Sequence, residues 1–364
     1  MMKFLATLNP GVEEVAIREI EELVGAKANI LHKGAVVFEA KEEAIFKLNF
    51  LARSLHRIIL LLEHSTFEKL DDLYELTKKI DFTNYIYPTQ TFAIRAERIG
   101  RHNFTSIDVA RVTGQAVIDS YKESKGVRLK VNLDNPNIIL RVQVYKDQFW
   151  IGLDTTGENS LHKRWYRKYK HPAPLKSTLA YSMIRLADFD PEKESLIDPC
   201  CGSGTIPIEA ALWALDIPPS KNRTDFDFLK FFWLDKEKFL EMRRKHREKE
   251  MDLKIFGSDL NEKWVKIARK NAEEAGVQIN FFKSDATQQQ LNYDKIVVDL
   301  PFGVRTSSKG LEEFYKKFFE NLRKWNWREV VCITTRPELI DMRTEREYEV
   351  DYGDLKAKIL IFKK

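Results

Sequence analysis

The stretch Ser195-Leu-Ile-Asp-Pro-Cys-Cys-Gly-Ser-Gly-Thr-Ile-Pro-Ile-Glu-Ala-Ala211 constrains the fold more than any other. A short apolar run ends in Asp198, a glycine-rich turn follows, and a helix-forming segment begins directly after it. That order describes a buried strand running into a loop whose backbone can lie against a ligand, because Gly202 and Gly204 carry no Cβ there. The dinucleotide fingerprint Gly-x-Gly-x-x-Gly needs a third glycine where Pro207 stands, and no Gly-Lys-Ser/Thr follows to cradle phosphates.

Two further acids repeat the pattern. Lys254-Ile-Phe-Gly-Ser-Asp259 is an apolar run tipped by a carboxylate and followed by a helical pattern from Glu262 to Ala272. An acid at the second strand tip can accept ribose hydroxyls. Gln278-Ile-Asn-Phe-Phe-Lys-Ser-Asp285 follows, and Asp285 can accept the adenine amino hydrogen. A single Asp at a strand end is more often a helix cap than a ligand; three on successive strands point to a nucleoside site. With no phosphate clamp present, the cofactor that suits this loop is S-adenosylmethionine. The candidate cofactor residues are Asp198, Cys200, Gly202, Ser203, Gly204, Thr205, Asp259, Leu260, Ser284, Asp285, Ala286 and Asp299.

Asp198 and Asp259 lie much further apart than the roughly 20 residues of a minimal βαβ unit. The excess, from about Asp216 to Asp252, carries Pro218-Pro219, five aromatics between Phe226 and Trp233, and a mixed-sign helix through Arg243 to Glu250. It reads as an insertion that packs its aromatics over the sheet and solvates its charged face.

A fourth apolar strand ends in Asp299-Leu-Pro-Phe-Gly303. This resembles the Asn/Asp-Pro-Pro-Tyr/Phe motif of methyltransferases that act on exocyclic amines of nucleobases. Such an amine is conjugated to its ring and is a poor nucleophile. Asp299 and the backbone carbonyl of Leu300 or Pro301 can accept its two hydrogens and turn the lone pair toward a methyl donor, while Phe302 stacks on the base. Leu300 stands where the commoner motif has proline, and Phe302 lacks a phenol. Beyond the motif, Glu329 to Thr335 reads as a further strand and Tyr348 to Phe362 as a closing hairpin. Cys332 alternates within that apolar strand and reads as core, so the nucleophilic thiol required for pyrimidine C5 methylation is not supplied by this motif.

The first 63 residues read as strand, helix, strand, strand, helix, strand, the order of a ferredoxin-like unit. A strand beginning at Thr91 then leads to a basic loop holding Arg95, Arg98, Arg101 and His102, and Thr105-Ser106 caps a helix, an arrangement suited to phosphate. Val127 to Leu133 and Ile138 to Tyr145 are expected to pair around Asn135-Pro-Asn137, with Gln148 to Leu153 adding a strand. Arg98, Gly100, His102, Phe104, Ser106 and Asp108 match a pattern common in the THUMP RNA-binding domain, and this segment resembles that domain. Between the halves, His162 to Lys176 is basic and aromatic and contains no acid; its Lys163, Arg164, Arg167 and Lys168 are candidate RNA contacts.

Composition limits the alternatives. Charged residues make up 32% of the chain, a Lys- and Glu-rich bias found in thermophile proteins. The net charge of +5 is too small to establish nucleic-acid binding alone. Three cysteines, two of them adjacent, form neither a disulfide framework nor a Cys-x-x-Cys metal site. No signal peptide, transmembrane stretch or lipidation motif appears, so a cytoplasmic enzyme is expected; a monomer without metal is expected as well.

Along nearly its whole length the chain resembles the THUMP-containing tRNA (guanine-N2)-methyltransferases. The resemblance implies an α/β class I, Rossmann-like methyltransferase domain at 177–364, preceded by a ferredoxin-like unit (1–63), a THUMP domain (64–158) and a basic linker (159–176). It also implies S-adenosylmethionine as cofactor and tRNA as partner. Asp-Leu-Pro-Phe-Gly together with the insertion points to the group acting on guanosine 6 of the acceptor stem, where the sibling group acting on guanosine 10 keeps Asp-Pro-Pro-Tyr. Another RNA target, a nicotinamide dehydrogenase and a non-catalytic RNA-binding protein with a relict fold are the alternatives; Pro207 and the Asp-Leu-Pro-Phe tip oppose the second, and retention of Asp299 and Phe302 opposes the third.

Overall fold

The computed structural model describes residues 1–169, 175–302, 308–353 and 355–364. Lys170, His171, Pro172, Ala173, Pro174 and Gly303, all within motifs read above, lie outside them. The described residues form two sheets that share one core.

The first sheet is built from β1 (Met2–Leu8), β2 (Ala28–His32), β3 (Ala35–Ala40), β4 (Leu55–Thr66), β5 (Thr91–Ile99), β6 (Lys130–Val131), β7 (Ile138–Tyr145) and β8 (Gln148–Asp154). Its order is β2-β3-β1-β4-β8-β7-β5-β6. Helices α1 (Glu13–Val24), α2 (Glu43–Leu51), α3 (Leu70–Lys78) and α4 (Ser106–Lys125) connect these strands. Residue 63, the expected end of the ferredoxin-like unit, lies inside β4, which pairs with β1 on one side and β8 on the other. The two units are thus halves of one sheet. The expected hairpin around Asn135-Pro-Asn137 does not form. β6 instead pairs in parallel with β5 at Thr91–Lys130, and β7 pairs with the other edge of β5. The long crossover through α4 returns the chain in the direction of β5, so a parallel partner is the outcome topology favours.

The second sheet comprises β9 (Leu196–Asp198), β10 (Ile255–Asp259), β11 (Asn280–Lys283), β12 (Lys295–Asp299), β13 (Glu329–Thr334), β14 (Arg346–Tyr352) and β15 (Leu355–Lys363). Its order is β11-β10-β9-β12-β13-β15-β14; the first five strands are parallel, and β15 is antiparallel to both its neighbours. Around it lie α5 (Ser177–Leu186), α6 (Thr205–Ala214), α7 (Lys236–Lys245), α8 (Glu262–Ala275) and α9 (Ser308–Leu322). The order reverses between β9 and β12, so the tips of β9, β10 and β12 face the crevice where ligands bind in such sheets.

The insertion behaves differently from the expectation. Its aromatics pack away from their own sheet, against the N-terminal half. Phe228 meets Phe46 at 5.5 Å between centroids, and Phe239 meets Phe50 at 6.0 Å. Trp233 reaches Tyr85, and Phe232 reaches Tyr87. Each fully buried ring contributes on the order of 1.5–3 kcal/mol. The charged helix ends at Lys245 rather than continuing to Glu250, and the following turn is held by the imidazole of His246 on the Asp216 carbonyl at 2.7 Å.

The halves are also joined by a buried ionic group. The Arg164 guanidinium donates twice to the Glu209 carboxylate, at 2.9 and 3.0 Å, and again to the Arg53 carbonyl. Tyr166 donates to Glu209 as well, at 2.9 Å, while Arg53 donates to the carbonyls of Leu212 and Ile217 behind α6. Both side chains of the Arg164–Glu209 pair are completely buried. Removing one partner strands the other charge, so Arg164→Met is expected to destabilise the protein by about 3–5 kcal/mol. The double replacement Arg164→Met/Glu209→Leu should recover most of that loss. Thermal denaturation of the three proteins checks this, and a single variant melting with wild type would show that the pair is not structural.

Candidate active site

Backbone hydrogen bonds within the chain shape the glycine loop. Gly204 NH donates to the Cys201 carbonyl and Cys201 NH to the Ser258 carbonyl, both at 2.8 Å. Gly204 has φ +85°, and a Cβ there would meet Ala268 and Phe281 at 3.0 and 3.1 Å. A side chain is therefore excluded both by conformation and by the close packing of α8. Asn271, buried on α8, donates to the Ser203 carbonyl at 3.0 Å and to the Tyr169 carbonyl at 3.1 Å, tying loop to linker. No feature of the sequence singles Asn271 out; only its burial within a polar helical pattern could have done so.

The acids take distinct roles. Asp198 is buried at the end of β9 and accepts the Cys200 NH at 3.1 Å. Burial raises its carboxyl well above the usual range, and the neighbouring Asp299 and Asp259 raise it further. Asp259 accepts Gly202 NH at 3.0 Å and Asn261 NH at 2.9 Å, so it braces the glycine loop from the next strand. Asp285 accepts both the NH and hydroxyl of Thr287, a turn-forming role, and its carbonyl receives Gln288 and Gln289. Ser284 NH donates to the Asp259 carbonyl. Ser203, Thr205 and Ala286 are buried, Cys200 is half-buried, and Leu260 is exposed beside Asp259. Burial pushes the Cys200 and Cys201 thiols well above their ordinary value, so neither is a thiolate nucleophile.

Asp299 ends β12. Leu300 is buried and its NH donates to the Ile333 carbonyl at 3.1 Å, which fixes the chain direction beyond the strand. The Pro301 carbonyl receives the Tyr315 hydroxyl at 3.2 Å. Asp299 Oδ2 accepts the hydroxyl of Tyr352 at 2.9 Å, whereas Oδ1 is buried with no hydrogen-bond partner among the described residues. Burial raises the Asp299 carboxyl to about 7, against which the Tyr352 hydrogen bond acts. Phe302 packs edge-on to Tyr352 at 4.5 Å. The sequence shows Tyr352 only as part of a closing hairpin; its distance along the chain from Asp299 conceals the contact.

These residues fit S-adenosylmethionine on three observations. A loop closed to side chains approaches the crevice, buried carboxylates crowd one another in want of a cation, and Asp299 Oδ1 faces no donor among the described residues. Gly202, Gly204, Asp198 and Asp259 would hold the nucleoside and amino-acid portions, and Asp285 the base edge.

The expected RNA contacts divide. Arg164 is buried against Glu209 and is not a surface cation, because alternate residues of the linker point inward. Lys163 and Lys168 are exposed, Lys168 pairing with Glu274 at 2.5 Å, and Arg167 is half-buried beside Ser177. Arg95 and Arg98 lie on β5 rather than in the expected basic loop, because the strand runs on to Ile99; Arg95 pairs with Glu158 at 2.6 Å, and Arg98 donates to the Gly100 carbonyl and meets His102 Nδ1 at 3.1 Å. His102 stacks on Phe104 at 4.9 Å, and Arg101 is exposed. The N-terminus of α4 is already satisfied by Thr105 and Asp108 in a capping box, so it does not wait for phosphate. Among the described residues, no cluster of three or more His, Cys, Asp or Glu is placed to hold a metal, and no helix is long and apolar enough to cross a membrane.

Comparison with known proteins agrees with this geometry. A family described as the RMKL-like methyltransferase domain matches residues 164–354, the THUMP domain matches 67–154, and the RlmL ferredoxin-like domain matches 3–59. A protein of Archaeoglobus fulgidus named tRNA (guanine(6)-N2)-methyltransferase is 40% identical, covering 100% of this chain and 92% of its own. One of the same name from Methanocaldococcus jannaschii is 37% identical, covering 98% and 99%. Among solved structures, a "possible methylase" from Clostridium difficile 630 superposes with a TM-score of 0.89 at 30% identity, covering 100% of this chain and 98% of that one. SMU.472 complexed with SAH gives 0.87 at 25% identity, with the same coverage. The chain belongs to the RMKL-like methyltransferase family, with a ferredoxin-like unit and a THUMP domain preceding the catalytic sheet.

Proposed function

We propose that this protein, acting as a monomer, methylates the exocyclic N2 amine of guanosine 6 in the acceptor stem of tRNA, giving N2-methylguanosine. The observation that carries the reading is the buried, unpaired Oδ1 of Asp299 beside Phe302, an acceptor shaped for an amine hydrogen. The names of the two archaeal relatives support the choice of tRNA and of guanosine 6.

Bound at the glycine loop, S-adenosylmethionine supplies an electrophilic methyl group on a cationic sulfur. The protein supplies the rest. Asp299 Oδ1 accepts one amine hydrogen, which turns the nitrogen lone pair out of conjugation with the purine. Phe302 offers a face to the flipped base. After transfer the nitrogen sheds a proton, and the same carboxylate is in place to receive it. Asp299 must be ionised for this, so kcat/KM for S-adenosylmethionine, which reports the free protein, is expected to fall as pH drops through about 7.

That pKa also has a stability consequence. The folded carboxyl titrates at about 7 against an ordinary 3.8, so between those values the folded state binds more protons than the unfolded one. Stability therefore declines as pH rises through this window. Asp299→Asn should abolish transfer, by roughly 100-fold or more, yet melt higher than wild type above pH 7 when cofactor is absent. A variant that keeps its activity, or melts lower at every pH, would contradict the assigned role.

The substrate is tested by labelled-methyl transfer to unmodified tRNA transcripts, with guanosine 6 intact or changed to adenosine. Label that disappears with the change supports the reading; label that persists moves the site elsewhere in the tRNA. For the linker surface, neutralising Lys163, Arg167 and Lys168 together should weaken RNA binding and lower the salt slope by about 0.9 for each phosphate no longer neutralised. An unaltered slope would return those residues to plain solvation.

A further inference from the structure

Tyr352 is a half-buried phenol that the mechanism above does not use. It lies at the end of β14, in the hairpin that closes the second sheet, and its hydroxyl donates to Asp299 Oδ2 at 2.9 Å. Its ring meets the Phe302 ring at 4.5 Å with an interplanar angle of 83°. One side chain thus touches both the amine acceptor and the stacking ring. Its own position is fixed by residues on the same face of the strand. Tyr348, four residues earlier, donates to Glu14 of α1 at 2.7 Å, and Val350 is buried. The backbone at Glu349 lies so close to the Gly11 turn that a Cβ on Gly11 could not be accommodated.

We infer that Tyr352 is a positioning residue for methyl transfer. Its hydroxyl holds Oδ2 and so leaves Oδ1 as the oxygen that takes the amine hydrogen, while its ring edge sets the tilt at which Phe302 receives the base. Without the clamp the carboxylate rotates about its terminal torsion, which has a broad and roughly two-fold profile. The two oxygens then exchange, and the acceptor no longer points in one direction. Phe302, which stands where the family motif often has tyrosine, has no hydroxyl to serve this purpose; the closing hairpin supplies one instead. The inference rests on the reading that Asp299 receives an exocyclic amine.

Among the described residues, the titratable groups that face Asp299 are Asp198 at the end of β9, Cys200 in the glycine loop, Tyr315 on α9 and Tyr352 itself. Arg167 acts on Tyr352 from the linker. Of these, Tyr352 is the group that donates a hydrogen bond to the Asp299 carboxylate and favours its ionised form.

Tyr352→Phe in the full-length protein tests the assignment, because it removes the hydroxyl and keeps the ring. On a tRNA transcript its kcat is expected to fall roughly 10- to 100-fold, with KM for the RNA close to that of wild type. The pH below which kcat falls should move upward, as should the titration of the Asp299 carboxyl followed by carbon NMR, with Asp299→Asn giving the assignment of the signal. In the Asp299→Asn background, Tyr352→Phe should have no further effect, the non-additivity expected of two residues acting as a unit. Unchanged kcat, a fall in kcat with both titrations unmoved, or effects that add in full across the double variant would each overturn it. The carboxyl titration needs no RNA: a wild-type protein inactive on every transcript defeats the substrate reading, while an unmoved titration in Tyr352→Phe defeats this one.

Discussion

The position of the glycine loop depends on a charge pair that never meets solvent. Arg164 and Glu209 are completely buried, and Glu209 stands on α6, the helix that starts at the end of the loop. A carboxylate in that place is tolerable only with full compensation. It receives both arms of the guanidinium and the Tyr166 hydroxyl, while Arg164 also reaches the Arg53 carbonyl in the N-terminal half. Well-packed apolar residues could stabilise such an interface equally well. What an ionic network adds is direction. The bidentate geometry allows one register between linker, α6 and the chain before β4, so the cofactor loop is fixed relative to the sheet that carries the THUMP domain.

From that fixed loop the acids acquire their division of labour. Asp259 and Asp285 have their oxygens engaged by backbone amides and hydroxyls, and they shape the turns on which they sit. Asp198 and Asp299 are buried more deeply, and each is driven toward the protonated form by loss of water. A site lined this way is unfavourable when empty and favourable around a sulfonium cation, since a positive charge restores both carboxylates to the ionised form. The instability is localised where binding can relieve it, as is usual for perturbed carboxylates at functional sites.

Much of the catalytic sheet is legible in the sequence because its chemistry and its strand ends coincide. Asp198, Asp259, Asp285 and Asp299 each terminate or directly follow an apolar run; the structure makes Asp198, Asp259 and Asp299 the last residues of their strands and sets Asp285 two residues beyond β11. The features that escape are those decided by tertiary partners. In the linker, Arg164 and Arg167 carry the same charge and stand three residues apart, yet the first is core because Glu209 lies opposite it. β6 pairs with β5 because α4 carries the chain back parallel, a matter of topology that no local turn signal reveals. The insertion's phenylalanines are apolar whichever surface they cover, so composition could not tell that they meet Phe46 and Phe50 rather than their own sheet. Tyr352 and Asn271 are each one polar residue in a regular element, and only their neighbours distinguish them.

Taken together, the contacts between halves explain how a small catalytic crevice can serve a large nucleic acid. The insertion, the linker and the closing hairpin all leave the second sheet to touch the N-terminal half, Phe228 and Phe239 against α2, Arg164 at the chain before β4, and Tyr348 at α1. Helix α5 adds Arg185, whose guanidinium meets Glu22 of α1, and Thr178, which accepts the amide of the buried Asn9. One hydrophobic cluster runs without a break from Phe4 in β1 to Ile361 in β15. Interfaces that flex are small and polar; this one is extensive, apolar and ionically keyed. The separation between the THUMP surface and Asp299 is therefore set by the core itself. An enzyme that recognises RNA mainly through shape and backbone has little base readout with which to choose its target. In such an enzyme, a rigid distance between the THUMP domain and the catalytic crevice can select which nucleotide is within reach.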